Sequence, residues 1–162
     1  MTVIYISHCK NVSQFLTKLI FAVGQIDSEL QNFRCFIGMN EPLSHRIEAG
    51  ADLFVMPSRY EPCGLNQMYS QRYGTLPVVR AVGGLDDTVE TFVTGFKFDE
   101  LSGAALAQTI EWAAHTYHHE PDHFRAMQLR AMGKPFGWDH ACRQYEAMFR
   151  LAVRRRLREV SP

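Results

Sequence analysis

Within one short stretch, Ser58-Arg59-Tyr60-Glu61-Pro62-Cys63-Gly64-Leu65-Asn66-Gln67 brings a guanidinium, a carboxylate, a thiol and a glycine to what reads as the start of a helix. Gly64 lets the backbone approach a ligand closely or adopt an unusual dihedral. A helix start presents N–H groups and the positive end of the helix dipole, which suits an anion such as a diphosphate. Glu61, on the lip of that site, is poorly suited to touching phosphate. It could stabilise a cationic centre or accept a hydrogen bond from a sugar hydroxyl; the alternative is that it caps the helix. Arg59 could bind phosphate or pair with Asp52 or Glu61. Cys63 sits next to the helix start. No His adjoins it in sequence, so it reads as packing beside a ligand rather than as a nucleophile.

A second constellation, Arg80-Ala81-Val82-Gly83-Gly84-Leu85-Asp86-Asp87-Thr88, repeats the plan. Its two glycines let a loop pass close to a ligand. Asp86 reads as an N-cap, with Asp87 or Thr88 supporting the first turn. No Gly-x-Gly-x-x-Gly follows the first apolar run, and no Gly-x4-Gly-Lys-Ser/Thr occurs, which disfavours a dinucleotide-binding dehydrogenase and a P-loop nucleotidase. No Gly-x-Ser-x-Gly elbow occurs either.

Both constellations follow short apolar runs. Candidate strands are Thr2–Ile6, Lys18–Val23, Phe33–Ile37, Leu53–Met56, Leu76–Val79 and Phe96–Phe98. Apolar residues at consecutive positions suit a parallel sheet buried on both faces. Helices are expected over Leu43–Ala49, Leu65–Tyr73 (closed by Gly74), Gly103–Tyr117 and Asp139–Glu159, with Asp139 as an N-cap. Strand–helix alternation argues an α/β fold with a doubly wound, mostly parallel, Rossmann-like sheet. In such sheets ligands bind beyond the carboxyl ends of the strands, which is where both loops fall. His115–Pro121 reads as a polar surface connection. His118, His119 and Glu120 have no matching ligand set nearby, so no metal is expected.

The chain has 162 residues, 46% hydrophobic and 21% charged, which fits one domain of ordinary globular composition. Lys+Arg and Asp+Glu are both 17, so no general attraction to nucleic acid or to acidic membranes follows. The basic cluster Arg154, Arg155, Arg156 and Arg158 reads as the solvated end of a helix. Cys9, Cys35, Cys63 and Cys142 are widely spread, which argues against a disulfide framework and fits a reducing, cytoplasmic setting. Neither a signal peptide nor a membrane-spanning apolar run is evident.

From Met56 to Glu90, MPSRYEPCGLNQMYSQRYGTLPVVRAVGGLDDTVE resembles the signature region of bacterial glycogen synthases and plant starch synthases. The likeness extends upstream through Cys35–Gly38 and Glu41–Gly50, and downstream through Gly95–Phe98 and Gly137–Asp139, so it covers Gln31 to Leu151. The resemblance implies the C-terminal half of a two-domain glycosyltransferase, with the active site between two facing Rossmann-like domains. Residues 31–162 would be the nucleotide-sugar-binding domain with its final long helix, and residues 1–30 a divergent or truncated part. The implied reaction is transfer of glucose from ADP-glucose to an α-1,4-glucan with retention, using no metal and no cofactor besides the donor. Glu61 matches the acidic residue beside the transferred glucose. Cys63, Gly64, Leu65 and Asn66 match the loop and helix start that meet the donor diphosphate and sugar. Gly83, Gly84 and Leu85 match a loop beside the acceptor and phosphates, and Met39 stands where an aromatic residue often stacks on adenine. Tyr69 stands where related transferases carry a second glutamate.

The family's Lys-x-Gly-Gly-Leu donor loop does not occur here, and Ser7-His8-Cys9-Lys10 does not match its phosphate-binding Ser-Arg-Leu-x-x-Gln-Lys-Gly segment. The expected partners are therefore ADP-glucose, α-glucan and a separately encoded N-terminal domain, with little activity expected from these residues alone. A non-catalytic module binding ADP or ADP-sugar and a truncated remnant are the competing readings.

Overall fold

Among the described residues, four short strands form one parallel sheet in the order β1 (Val3–Tyr5), β2 (Leu53–Met56), β3 (Leu76–Arg80), β4 (Phe96–Phe98). They belong to a computed structural model that describes residues 3–5 and 38–160. The expected strands Lys18–Val23 and Phe33–Ile37 lie outside the described residues. β2 and β3 pair in the register Leu53↔Leu76 through Met56↔Val79, and both are apolar at nearly every position. That composition is what a sheet covered on both faces requires. The Rossmann-like α/β class read from the sequence is the observed one.

Helices cover both faces. Alternation along β2 and β3 sends Leu53, Val55, Leu76 and Val78 to one side. There they pack with Ala113 of α4 (Gly103–His119) and with Phe124, Met127 and Ala131 of α5 (Pro121–Met132). Val79 points the other way, into a smaller cluster with Leu85 and Val89. Leu85 belongs to α3 (Gly84–Thr88), and beside α3 lies α2 (Asn66–Tyr73), which in turn packs against α1 (Glu41–Ala49). Gly74 closes α2 in the left-handed region, at φ 82°.

The chain divides into two compact units, Met1–Met132 and Gly133–Pro162. The second is mainly α6 (Trp138–Val160), which carries a 2.6 Å ion pair between Arg150 and Glu146. Asp139 lies within its first turn instead of capping it.

The expected surface connection at His115–Pro121 is corrected by the structure. α4 runs on through His119, and α5 starts at Pro121, with Glu120 alone between them. Proline favours the first helical position, where its missing N–H costs nothing. Tyr117 stays in contact with the core by packing edge-on against Phe124, ring centroids 5.1 Å apart. Among the described residues, no helix is long and apolar enough to cross a membrane.

Candidate functional site

The β2–α2 and β3–α3 loops emerge side by side from the carboxyl ends of adjacent strands and touch. The Gly84 N–H donates to the Glu61 carbonyl at 3.1 Å. A Cβ on Gly84 would lie 1.8 Å from the Cys63 carbonyl oxygen, and one on Gly83 would lie 2.2 Å from the Glu61 carbonyl oxygen. Both are backbone atoms with no side chain to swing aside, so neither position admits a larger residue at this separation. Gly83 also has φ 49°, which side chains rarely tolerate. The glycine pair is thus a consequence of loop-on-loop packing, whatever ligand the loops meet.

A third tie comes from Arg80 at the end of β3. Its Nη1 donates to the Arg59 carbonyl at 3.0 Å and its Nε to the Asp99 carbonyl at 3.2 Å. One planar guanidinium therefore joins the chain beyond β2 to the chain beyond β4, on either side of its own strand. Arg59 enters this brace through its backbone, and its side chain is exposed.

The two helix starts at this rim differ electrostatically. α2 has Leu65 at its N-cap, no side-chain capping hydrogen bond, and no acidic residue in its first turn. The capping role weighed for Glu61 is therefore not taken up. α3 begins on Gly83, and its first turn holds Asp86 and Asp87. Asp86 is not the N-cap expected from sequence, because the helix has already started at Gly84. It pairs instead with Lys97 of β4 at 2.6 Å. No first-turn carboxylate offsets the positive end of the α2 dipole, whereas two oppose that of α3.

The residues singled out by sequence fall as follows. Glu61 is half-buried and Cys63 exposed, with Gly64 buried between Cys63 and the half-exposed Leu65. Asn66 opens α2. Gly83 is exposed and Gly84 buried against the first loop. Leu85 sits in the second loop, but its side chain is wholly buried in the cluster with Val79 and Val89, and its N–H donates to the Val82 carbonyl. It supports the loop from below and presents no side chain at the rim. Met39 is 95% exposed and precedes Asn40, whose Oδ1 caps α1 through the Leu43 N–H. The C-terminal end of α1 is tied to the amino ends of β2 and β3 through hydrogen bonds from Thr75 Oγ1 to the Glu48 and Ala51 carbonyls.

Sequence reasoning missed a polar network beneath the loops. Gln67, Ser70 and Gln71 form the buried face of α2, while Tyr69 and Tyr73 are exposed. The Gln67 Nε2 donates to the carbonyls of Cys63 (3.1 Å) and Gly64 (2.9 Å) and to the Thr88 hydroxyl (3.1 Å). The signal was present as two glutamines one helical turn apart, the first of them three residues beyond Gly64. Among the described residues no group of three His, Cys, Asp or Glu side chains could hold a metal ion. The His119 ring lies tilted against that of His115, which approaches Glu120 at 3.6 Å, while His118 packs against Tyr117.

The family described as "Glycosyl transferases group 1" matches residues 25–126. Glycogen synthase 1 of Geobacter metallireducens is 54% identical over 133 residues, covering 78% of this chain and 26% of that protein. Glycogen synthase of Treponema denticola is 50% identical over 137 residues, covering 81% of this chain and 28% of that protein. The chain thus spans about a quarter of the length of these curated relatives. Among solved structures, the catalytic domain of starch synthase IV from Arabidopsis thaliana, bound to ADP and acarbose, superposes with a TM-score of 0.73. It covers 93% of this chain and 37% of that one, at 24% identity.

Proposed function

The chain belongs to the group 1 glycosyl transferases, and on that premise we propose that it carries the donor side of a glycogen-synthase-type site, one that moves glucose from ADP-glucose to an α-1,4-glucan with retention of configuration. The observation that carries this reading is the contact between the two loops, the Gly84 N–H on the Glu61 carbonyl at 3.1 Å. It gathers a half-buried carboxylate, an uncapped helix start and a glycine turn at one sheet edge. In this reading the diphosphate meets the start of α2, whose dipole stabilises the negative charge that grows as the C1–O bond breaks. Cys63, Gly64, Leu65 and Asn66 line that approach. Gly83 and Gly84 bring backbone to the sugar and acceptor, and Leu85 supports them from the core. Glu61 faces the cationic character of the transferred glucose. Met39 takes the adenine side. The donor needs no resident cofactor or metal.

Transfer requires groups held on both sides of the reacting sugar. The reading therefore assigns residues 31–162 to a C-terminal nucleotide-sugar-binding domain, working in the cytoplasm against a second, N-terminal Rossmann-like domain. By itself the 162-residue chain should bind ADP and turn over little. Titration calorimetry with ADP, paired with an assay of labelled ADP-glucose on glycogen, tests this. Saturable ADP binding, with transfer appearing when an N-terminal domain is supplied, supports the reading. ADP binding that never yields transfer favours a non-catalytic module, and no ADP binding defeats the reading.

A further inference from the structure

α2 is built inside out, with its glutamines facing the interior and its tyrosines facing solvent. A buried amide stabilises the fold only if its hydrogen bonds are made, since an unpaired buried polar group costs about 1–3 kcal/mol. Gln67 is fully buried; its Nε2 faces three acceptors, while its Oε1 has no hydrogen-bond partner, so the donor half of the amide carries its links to the loops. We propose that Gln67 is a positioning residue that clamps the Glu61-bearing loop to the Gly83–Gly84 turn and so fixes the spacing of the site between them. The proposal deepens the glucosyltransferase reading and rests on it for the meaning of that spacing.

The directions of the hydrogen bonds carry the argument. The Thr88 hydroxyl donates its proton to the Gly84 carbonyl, so a lone pair is left to accept from Gln67. Gln67 passes its other proton to the Cys63 and Gly64 carbonyls. Gly84 in turn donates its N–H to the Glu61 carbonyl. The links form a closed circuit: Glu61 to Gly84, Gly84 to Thr88, Thr88 to Gln67, Gln67 to Cys63 and Gly64, and by the chain back to Glu61. Gln71 braces it from behind, its Nε2 shared between the Gln67 carbonyl (3.1 Å) and the Thr88 carbonyl (3.2 Å). Gln67 has no access to solvent. It therefore acts on a ligand only through the two loops, and an apolar side chain of like length would fill its space without joining them.

The test uses the whole chain with Gln67→Met, which keeps length and removes the donors, Thr88→Val, which keeps shape and removes the hydroxyl, and Thr88→Ser, which retains the hydroxyl. Amide exchange is followed by NMR at Gly84 and along β3, and ADP affinity by calorimetry. In Gln67→Met and Thr88→Val the Gly84 amide should exchange ~10-fold faster, with ADP Kd raised ~10-fold, while β3 amides stay at wild-type rates. Thr88→Ser should behave as wild type. A purely structural role would loosen β3 as well, and wild-type Gly84 exchange in both Gln67→Met and Thr88→Val would overturn the proposal. Should Gln67→Met fail to fold, the contrast between Thr88→Val and Thr88→Ser decides. A wild-type chain that binds no ADP defeats the functional reading by itself, and the exchange rates still judge the clamp.

Discussion

The Gly84 N–H donates to the Glu61 carbonyl at 3.1 Å, so the residue proposed to face the transferred sugar is held by the turn that follows the neighbouring strand. Neither loop can shift without the other. Gly84→Ala would push a methyl group to 1.8 Å from the Cys63 carbonyl oxygen, which only separation of the loops relieves. The expected cost is about 3 kcal/mol or more, since a backbone contact cannot rotate away. Gly83→Ala meets both a 2.2 Å contact and a positive φ and should be comparably damaging. Thermal unfolding measures both, and ADP calorimetry on whatever fraction remains folded should show lost binding. A Gly84→Ala protein with wild-type melting would mean the loops are not in this contact.

Glu61 contributes its carbonyl to that contact and leaves its carboxylate for other work. Glu61→Gln preserves the backbone bond and removes only the charge. In a preparation competent for transfer, the rate should fall at least ~100-fold, the scale of losing one electrostatic group aimed at a charged transition state. ADP affinity should stay within about twofold, because the diphosphate is assigned to the start of α2. Parallel calorimetry and transfer assays separate the two effects. Loss of ADP binding would move Glu61 from the sugar to the architecture of the loop.

The strands among the described residues and both rim loops were legible in the sequence for a physical reason. Leu53–Met56 and Leu76–Val79 are apolar at consecutive positions, which a doubly covered parallel strand demands and an amphipathic helix does not. α5 was not legible. Pro121 reads as a break after a run of histidines, and Arg125, Gln128 and Arg130 interrupt the apolar positions Phe124, Met127 and Ala131. They fall three and four apart, however, and form a helical stripe once proline is allowed to begin the helix. The Gln67–Thr88–Gln71 network was hidden by the rule that polar residues face water, which α2 inverts. Leu85 shows the converse. Its place in a glycine-rich loop pointed to a ligand, while its side chain belongs to the core.

Arg80 offers a check on how far the rim depends on strand ends being held together. Arg80→Ala removes the bonds to the Arg59 and Asp99 carbonyls. The site is partly exposed, so the stability loss should be about 1 kcal/mol, the net worth of such bonds where water can replace them. ADP affinity should weaken by a few-fold, as the loop before Glu61 loses an anchor. Arg80→Lys should recover less than half of this, since an ammonium cannot span two carbonyls on opposite sides as a planar fork does. Melting curves and calorimetry on the two variants give the comparison. Full recovery by lysine would show that charge, not geometry, is what matters there.

Away from the rim, Glu48 on α1 is 1% exposed. Burial pushes its carboxyl above the ordinary 4.5, against smaller opposing pulls from His45 and the Ser44 hydroxyl. Ser44 Oγ reaches Oε1 at 3.5 Å, and His45 Nδ1 lies 4.0 Å from Oε2, its ring packed against Tyr69 and Tyr73. The sign follows from proton linkage. With the folded pKa raised, the native state holds a proton that the unfolded chain has released, so stability falls as pH climbs above 4.5 through the folded value. The charge of His45, which draws the carboxyl the other way, limits the effect. Glu48→Gln, neutral at every pH, should remove this slope. Its melting temperature should exceed that of wild type at pH 7 and converge with it near pH 4, and melts taken across that range would read the difference directly. A Glu48→Gln protein less stable than wild type at pH 7 would mean that the ionised carboxylate is held favourably by His45 and Ser44, and that burial is not the dominant influence on it.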